Sequence, residues 1–292
     1  MNEKRMGTVI LILLIVLNLV LFGYYCYQNI IENWVPRERI EQVKELYRQN
    51  GIELKTEPDR KNKNQPILIL GEANLEHMVE EYLNGNFEKS FIYGSKVQYT
   101  SDNLMILTDR KNHSITYVDQ KKSMPEVIAE CVSIEEWART QRITEEEAQM
   151  LMVERAKRFA REWMGDDIEL FKTERREKGY EYTFHPVQED AVLFFNELKV
   201  WVLNDSVVSA EMVYWDVTGE TAKSYTSMPI DEILYALLGS IKDGVDEGKQ
   251  DEVIQIIDGY QMVKSEEQAK AVPSITIVMN SGREYVMNRT AA

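Results

Sequence analysis

The chain has 292 residues, of which 49 are acidic and 34 are basic, so its formal net charge is −15 at pH 7. Such an acidic surface repels phosphate backbones and anionic polymers, and the composition therefore argues against nucleic-acid binding and against a polybasic lipid patch. The two cysteines, Cys26 and Cys131, are far apart in the sequence, which excludes a disulfide framework. We expect stability to come from apolar cores, without a cofactor or a structural metal.

A segment without charged side chains covers residues 6–31, and most of it is aliphatic. About 20 apolar residues at roughly 1.5 Å each make a helix of about 30 Å, which matches the hydrocarbon core of a bilayer. The pattern predicts a transmembrane helix over residues 6–28 and a cytoplasmic tail over residues 1–5, because Lys4 and Arg5 precede the apolar run. A cleaved signal peptide is the alternative, but the run is too long for one and no cleavage site between small residues follows it.

The remainder of the chain is predicted to lie outside the cell and to be α+β, with two lobes that each contain an antiparallel sheet with helices packed on one face. The first lobe is expected over residues 29–124. It begins with an amphipathic helix over residues 36–50 and continues with short strands and a helix over residues 76–83. Partial alternation of apolar and polar residues then predicts an antiparallel meander over residues 91–118.

The second lobe is expected over residues 144–292, after a connection over residues 125–143. Thr144 and Glu147 form a capping box in front of a wide apolar stripe, which predicts a long helix. A second helix is predicted over residues 228–239. The strands predicted in this lobe cover residues 168–172, 180–184, 192–202, 206–215, 253–257, 275–279 and 284–288.

The residue types that carry most hydrolytic chemistry are sparse in this sequence. The three histidines, His77, His113 and His185, are separated by long stretches and lack metalloprotease spacing, so a zinc hydrolase has little to build on. A carboxylate pair from the acidic clusters at residues 145–147, 166–167 or 189–190 could cleave a glycosidic bond. The same clusters also have a non-catalytic explanation, because the first lies at a predicted helix N-terminus, where the dipole favours carboxylates, and the other two lie in predicted turns.

Aromatic side chains at residues 180–184 and 213–216 could line a glycan groove, although aromatic alternation in strands is also typical of core packing. An anchored cell-wall or peptide hydrolase and an extracytoplasmic glycan- or peptide-binding module therefore remain alternatives to a regulatory role.

Segments near both ends of the chain carry a resemblance to a known family. Near the N-terminus, a minimal basic tail precedes an apolar run that contains an asparagine, Val16-Leu-Asn-Leu-Val-Leu-Phe22. Near the C-terminus, Ile256-Ile-Asp-Gly-Tyr260 precedes Val272-Pro-Ser-Ile-Thr-Ile-Val278 and Gly282-Arg-Glu-Tyr-Val286. With the acidic exterior, these segments resemble the YycI and YycH regulatory proteins, which accompany the WalK sensor histidine kinase in low-GC Gram-positive bacteria. The chain departs from that pattern at Ile275, where the resemblance leads us to expect an aromatic residue.

The resemblance implies a non-enzymatic protein that forms a membrane complex with the kinase and tunes its signalling in cell-wall homeostasis. We therefore interpret the chain as a membrane-anchored accessory regulator with an extracytoplasmic C-terminal part. The expected partners are a WalK-like sensor histidine kinase, a sister YycH-like protein and the membrane. Asn18 lies near the middle of the apolar run, where its amide needs a partner from another helix. The face that it shares with Leu11, Leu14, Leu21 and Tyr25 is predicted to contact the kinase.

Overall fold

The structure is a computed structural model, and it describes residues 12–25, 27, 34–63, 65–221, 227–244, 251–264 and 268–289. The helices of these residues are α1 (residues 12–25), α2 (Arg37–Gln49), α3 (Leu75–Tyr82), α4 (Pro125–Glu130), α5 (Ile134–Gln141), α6 (Glu145–Met164) and α7 (Ile230–Gly244). The strands are β1 (Ile52–Leu54), β2 (Leu68–Glu72), β3 (Glu88–Phe91), β4 (Lys96–Ser101), β5 (Leu104–Asp109), β6 (Ser114–Asp119), β7 (Ile168–Arg175), β8 (Tyr180–Gln188), β9 (Ala191–Leu193), β10 (Glu197–Leu203), β11 (Ser206–Val213), β12 (Trp215–Glu220), β13 (Asp251–Lys264), β14 (Ala269–Met279) and β15 (Glu284–Asn288). Helices and a mixed sheet together make the chain an α+β protein.

The chain divides into two compact units that are interleaved in sequence. Unit 1 takes its residues from 1–65, 224–256 and 275–292, and unit 2 takes its residues from 66–223 and 257–274. The residues of β13 and β14 are divided between the two units. The prediction placed two lobes one after the other, whereas each unit of the structure combines segments that are distant in the chain.

Unit 1 packs α2 and α7 against a small sheet. β1 pairs with β13 in parallel, β13 neighbours β14, and β14 pairs with β15. The apolar faces of both helices meet the sheet in one core, because apolar residues recur along each helix at intervals of three and four positions. The most deeply buried members of this core are Tyr47, Ile52, Ile233, Leu234, Ile241, Val253, Ile275, Ile277 and Met279.

Unit 2 is built on a long sheet, with α3 and α6 in the core on one of its faces. Its strands follow the order β12-β2-β14-β13-β9-β8-β10-β11-β6-β5-β4-β3, and β7 pairs with β8. The capping box predicted for α6 is confirmed, because Thr144 Oγ1 accepts from the Glu147 amide and the Glu147 carboxylate accepts from the Thr144 amide. Met152 and Phe159 of α6 belong to the same buried core as Tyr99 and Tyr182 of the sheet, and the Phe159 ring contacts Tyr117 of β6 edge to face.

The predicted transmembrane helix over residues 6–28 is wrong. Within the described ranges, no helix has both the length and the apolar character that crossing a membrane requires. The described part of the helix found there, α1, covers residues 12–25.

The expectation of purely antiparallel sheets is also corrected. β13 pairs in parallel with β1 in unit 1 and with β9 in unit 2, so the sheet is mixed. The antiparallel prediction assumed that strands close in sequence pair through short turns. Parallel pairs need long connections, and here they join strands that lie far apart in the chain.

Candidate partner-binding groove

The residues predicted to contact the kinase lie on α1 where the structure describes them. Leu14, Asn18, Leu21 and Tyr25 fall on one face of this helix, and Leu11 lies outside the described residues. Leu14, Leu21 and Tyr25 are 51%, 56% and 68% exposed. All other described residues of α1 are exposed as well. The structure therefore places these four residues on one face but gives that face no packing partner in the described part of the chain.

The three histidines lie on different elements. His77 belongs to α3, His113 lies in the turn between β5 and β6 with its ring stacked on Trp215, and His185 lies in β8. Among the residues that the structure describes, no group of three or more His, Cys, Asp or Glu side chains is placed to hold a metal ion.

His185 is a buried residue of unit 2. Its Nδ1 lies 2.7 Å from the Asn196 carbonyl oxygen, and because a carbonyl only accepts, Nδ1 carries the proton. The rings of Phe171 and Phe194 meet the imidazole edge to face, with centroids 5.3 and 5.2 Å away. Burial lowers the pKa of His185 below its usual value.

Other residues that the sequence offered for hydrolysis or glycan binding lie in the core, at a helix start or in a turn. Tyr182 and Phe184 are fully buried in the core of unit 2, so they do not face a surface groove. The acidic cluster at residues 145–147 forms the first turn of α6, where the helix dipole favours carboxylates. Glu189 and Asp190 form the turn between β8 and β9, both with positive φ.

A surface groove in unit 1 lies between α2 and α7, and proline and glycine fix where these helices begin or end. Pro36 precedes α2, and Pro229 precedes α7. Gly51, with φ of 77°, follows the end of α2. The two helices are joined by the buried Tyr47 hydroxyl, which donates to the Leu234 carbonyl oxygen at 2.7 Å. Burial raises the pKa of Tyr47, so this hydroxyl stays protonated as a donor.

The groove has a volume of about 570 Å³ and a mostly apolar floor. Val43 and Leu46 of α2 form one side, and Met228 and Ala236 form the other. Tyr235 lies at the rim with 67% of its surface exposed. An aromatic side chain in this position presents a large apolar surface with a polar tip, which is common in protein interfaces.

Charged side chains occupy one end of the groove. Arg39 of α2 forms ion pairs with Asp231 and, at 3.1 Å, with Glu232, both in the first turn of α7. The Asp231 side chain is only 6% exposed, and its Oδ1 has no hydrogen-bond partner among the described residues. A buried acceptor without a partner costs about 1–3 kcal/mol.

The groove can therefore hold an apolar side chain together with a neighbouring hydrogen-bond donor or cation. We call it the α2–α7 groove. Sequence reasoning predicted both helices but missed their junction, because Arg39 and Asp231 are far apart in the chain and no spacing motif connects them. The proline before α7 and the two acidic residues of its first turn are the local signals that mark this helix start.

Comparison with known proteins does not assign a family. No protein-family model matches the chain, and no curated protein matches it. An uncharacterized protein from Eubacterium rectale ATCC 33656 is similar in structure, at 13% identity and a TM-score of 0.46, over 82% of this chain and 86% of that chain. The Bacillus megaterium YpeB C-terminal domain is similar at 12% identity and a TM-score of 0.38, over 77% of this chain and 95% of that domain. Likenesses this weak support no inference, and the resemblance to YycI and YycH stays a prediction.

Proposed function

We propose that the chain is a non-enzymatic, extracytoplasmic accessory protein that regulates a sensor histidine kinase of the WalK type by binding it at the α2–α7 groove. The observation that carries the proposal is the combination of an apolar floor, an exposed tyrosine and the exposed Glu232 carboxylate in one groove. The choice of a kinase as partner comes from the resemblance at the two ends of the sequence.

The chemistry of the groove defines what the partner must present. Its floor accepts an aliphatic or aromatic side chain, and burial of such a side chain stabilises a complex by about 1.5–3 kcal/mol. Glu232 is 54% exposed at the charged end, next to Asp231. A lysine or arginine beside the apolar anchor would contact the exposed Glu232 carboxylate, and an interfacial cation of this kind also speeds association with an acidic protein.

Kinase capture from membranes that contain both proteins tests the proposal. The double variant Tyr235→Ser/Glu232→Lys removes the rim aromatic and reverses one charge, and both residues are exposed, so the fold should be retained. We expect the amount of kinase captured to fall at least five-fold. Met150→Ser, at a residue of α6 that is 61% exposed, is the matched control in unit 2 and should capture as much kinase as the parent.

The assignment of the α2–α7 groove as the binding site would be contradicted if the double variant captured as much kinase as the parent. Loss of capture only after substitutions on other surfaces would contradict it as well. The alternative of a cell-wall or peptide hydrolase is tested separately by incubating the purified chain with wall fragments. Release of soluble products by the parent chain would replace the regulatory proposal by an enzymatic one.

A further inference from the structure

The strand β3 lies at an open edge of the unit 2 sheet. It is the last strand in the sheet order and pairs with β4 on one side, without a partner on the other side among the described residues. The Ile92 amide donates to the Lys96 carbonyl oxygen, which makes these two residues a hydrogen-bonded pair. In an antiparallel ladder such pairs alternate with non-hydrogen-bonded pairs, so the next hydrogen-bonded residues of β3 are Ser90 and Glu88. The backbone groups of Ser90 and Glu88 therefore point towards β4, and those of Phe91 and Lys89 point to the free edge.

Two other edge strands of unit 2, β12 and β7, have a register shift that discourages further pairing, whereas β3 has none. β12, at the opposite end of the sheet order, has a register shift between Val217 and Gly219 and exposes Asp216 and Glu220. β7 also has a register shift, and three of its last four residues are charged. Bulges and charges of this kind protect sheet edges from added strands. β3 pairs with β4 in a continuous register over its four residues, without a bulge.

Lys89 of β3 does not protect the strand edge, because its ammonium group forms ion pairs with two carboxylates of α3. Lys89 Nζ lies 2.8 Å from carboxylate oxygens of both Glu76 and Glu80 on α3. The hydrogen bond to Glu76 raises the pKa of Lys89, and the ammonium group lies over the Tyr99 ring. The side chain thus turns back onto its own unit and leaves the strand edge uncovered.

Three consecutive large apolar residues, at the end of β3 and in the turn that follows it, are exposed to solvent. Phe91, Ile92 and Tyr93 are 78%, 54% and 89% exposed. Single exposed apolar residues are common on protein surfaces, but several of them close to an open strand edge are typical of an interaction site.

We propose that β3 is the docking edge for an extended segment of a partner protein, which adds to the sheet as an antiparallel strand. The occupant presents an apolar residue opposite Phe91, where the exposed aromatic ring offers a cross-strand contact, and a basic residue opposite Glu88, whose exposed carboxylate lies on the other face. A second copy of this chain is the less suitable occupant, because a net charge of −15 on each copy opposes self-association. This proposal rests on β3 and is independent of the α2–α7 groove.

A labelled peptide tests the proposal on the unaltered full chain. The probe is the acetylated, amidated octapeptide Thr-Val-Ile-Val-Thr-Thr-Lys-Thr, in which the fourth residue falls opposite Phe91 and the seventh falls opposite Glu88. Its matched control carries N-methyl groups on the fourth and sixth residues, which removes the two amide donors that would bond the free edge. We expect fluorescence anisotropy to show at least ten-fold weaker binding of the N-methylated peptide.

Two substitutions at one position separate the backbone from the side chain. Phe91→Ala keeps the outward N–H, whereas Phe91→Pro removes it without removing a donor from the β3–β4 ladder. Phe91→Pro should bind the octapeptide at least ten-fold more weakly than Phe91→Ala does. Equal binding of the two peptides by the parent chain would overturn the proposal even if Phe91→Pro failed to fold. Cross-linking of two chains through Phe91→Cys would overturn it as well, because the occupant would then be a second copy.

Discussion

Gly259 is expected to be essential for the packing of β13 on β9 in unit 2. It pairs with Val192 of β9, and a Cβ at this position would lie 2.5 Å from both the Val192 carbonyl oxygen and Phe194 Cε2. Carbon atoms in contact normally stay at about 3.5–4.0 Å. Since one of the two obstructing atoms belongs to the backbone, a change of side-chain rotamer cannot relieve the overlap.

The substitution Gly259→Ala should therefore destabilise the protein. Overpacking typically costs about 1–3 kcal/mol, and the reduced entropy of the unfolded chain returns about 0.4–1 kcal/mol. We expect a net loss of about 1–2 kcal/mol in the free energy of unfolding, measured by urea denaturation of the full chain. Adding Phe194→Leu should restore part of the loss, because it removes the ring but leaves the Val192 carbonyl in place.

Gly239→Ala is the matched control. Gly239 lies in α7, and a Cβ there would meet no atom within 4 Å. Replacing a helical glycine by alanine in open space should stabilise the protein by about 0.5–1 kcal/mol. If Gly259→Ala proved as stable as the parent while Gly239→Ala behaved as expected, the close approach of β13 to β9 would not exist in solution.

Three further predictions follow from single contacts. Because burial lowers the folded-state pKa of His185, its contribution to stability is full above about pH 6.5 and is lost as the pH falls through the folded pKa. His185→Phe should reduce the fall in unfolding free energy between pH 7 and pH 5, and an unchanged fall would assign the acid sensitivity to other groups. Thr144→Ala breaks the capping box with Glu147 and should lower the unfolding free energy by about 1 kcal/mol, whereas an unchanged urea midpoint would show that α6 needs no cap. Tyr47→Phe removes the donor to the Leu234 carbonyl and should cost about 1–3 kcal/mol in a thermal or urea melt, with an equally stable variant arguing against this bond.

The sequence predicted helices and strands correctly where residues close to their ends, such as helix caps, mark the boundary. The capping box at Thr144 located the start of α6, and the final strand was predicted over the residues that β15 occupies, Glu284–Asn288. The helix predicted over residues 36–50 agrees with α2 to within a residue at each end. In each case the signal and the structure involve residues within one or two turns of each other.

Two short helices were missed in the segment predicted as a connection. α4 and α5 both carry local start signals, since Pro125 opens α4 and the Ser133 side chain accepts from the Glu136 amide at the start of α5. α4 has no buried residue and α5 buries only Ala138. Neither helix therefore has the wide apolar stripe from which the longer helices were predicted.

Non-local pairing could not be predicted. The parallel contacts of β13, the ion pairs of Arg39 and the interleaving of the units all join residues that are distant in the chain, and one sequence offers no signal for them. The free edge of β3 could not be predicted either, because the predicted meander did not include the order of the strands in the sheet. The apolar run at the N-terminus led to a transmembrane prediction, which no helix of the described residues supports.

The interleaving of the two units has a consequence for the order in which the chain can fold. α2 is synthesised early, but its core partners Ile275, Ile277 and Met279 are synthesised more than two hundred residues later. Unit 2 likewise receives its β13 and β14 residues only after the rest of that unit has been made. Contacts between such distant segments slow folding and leave apolar surfaces exposed in the growing chain. A ribosome that stalls before residue 257 would therefore release a chain in which neither unit is complete.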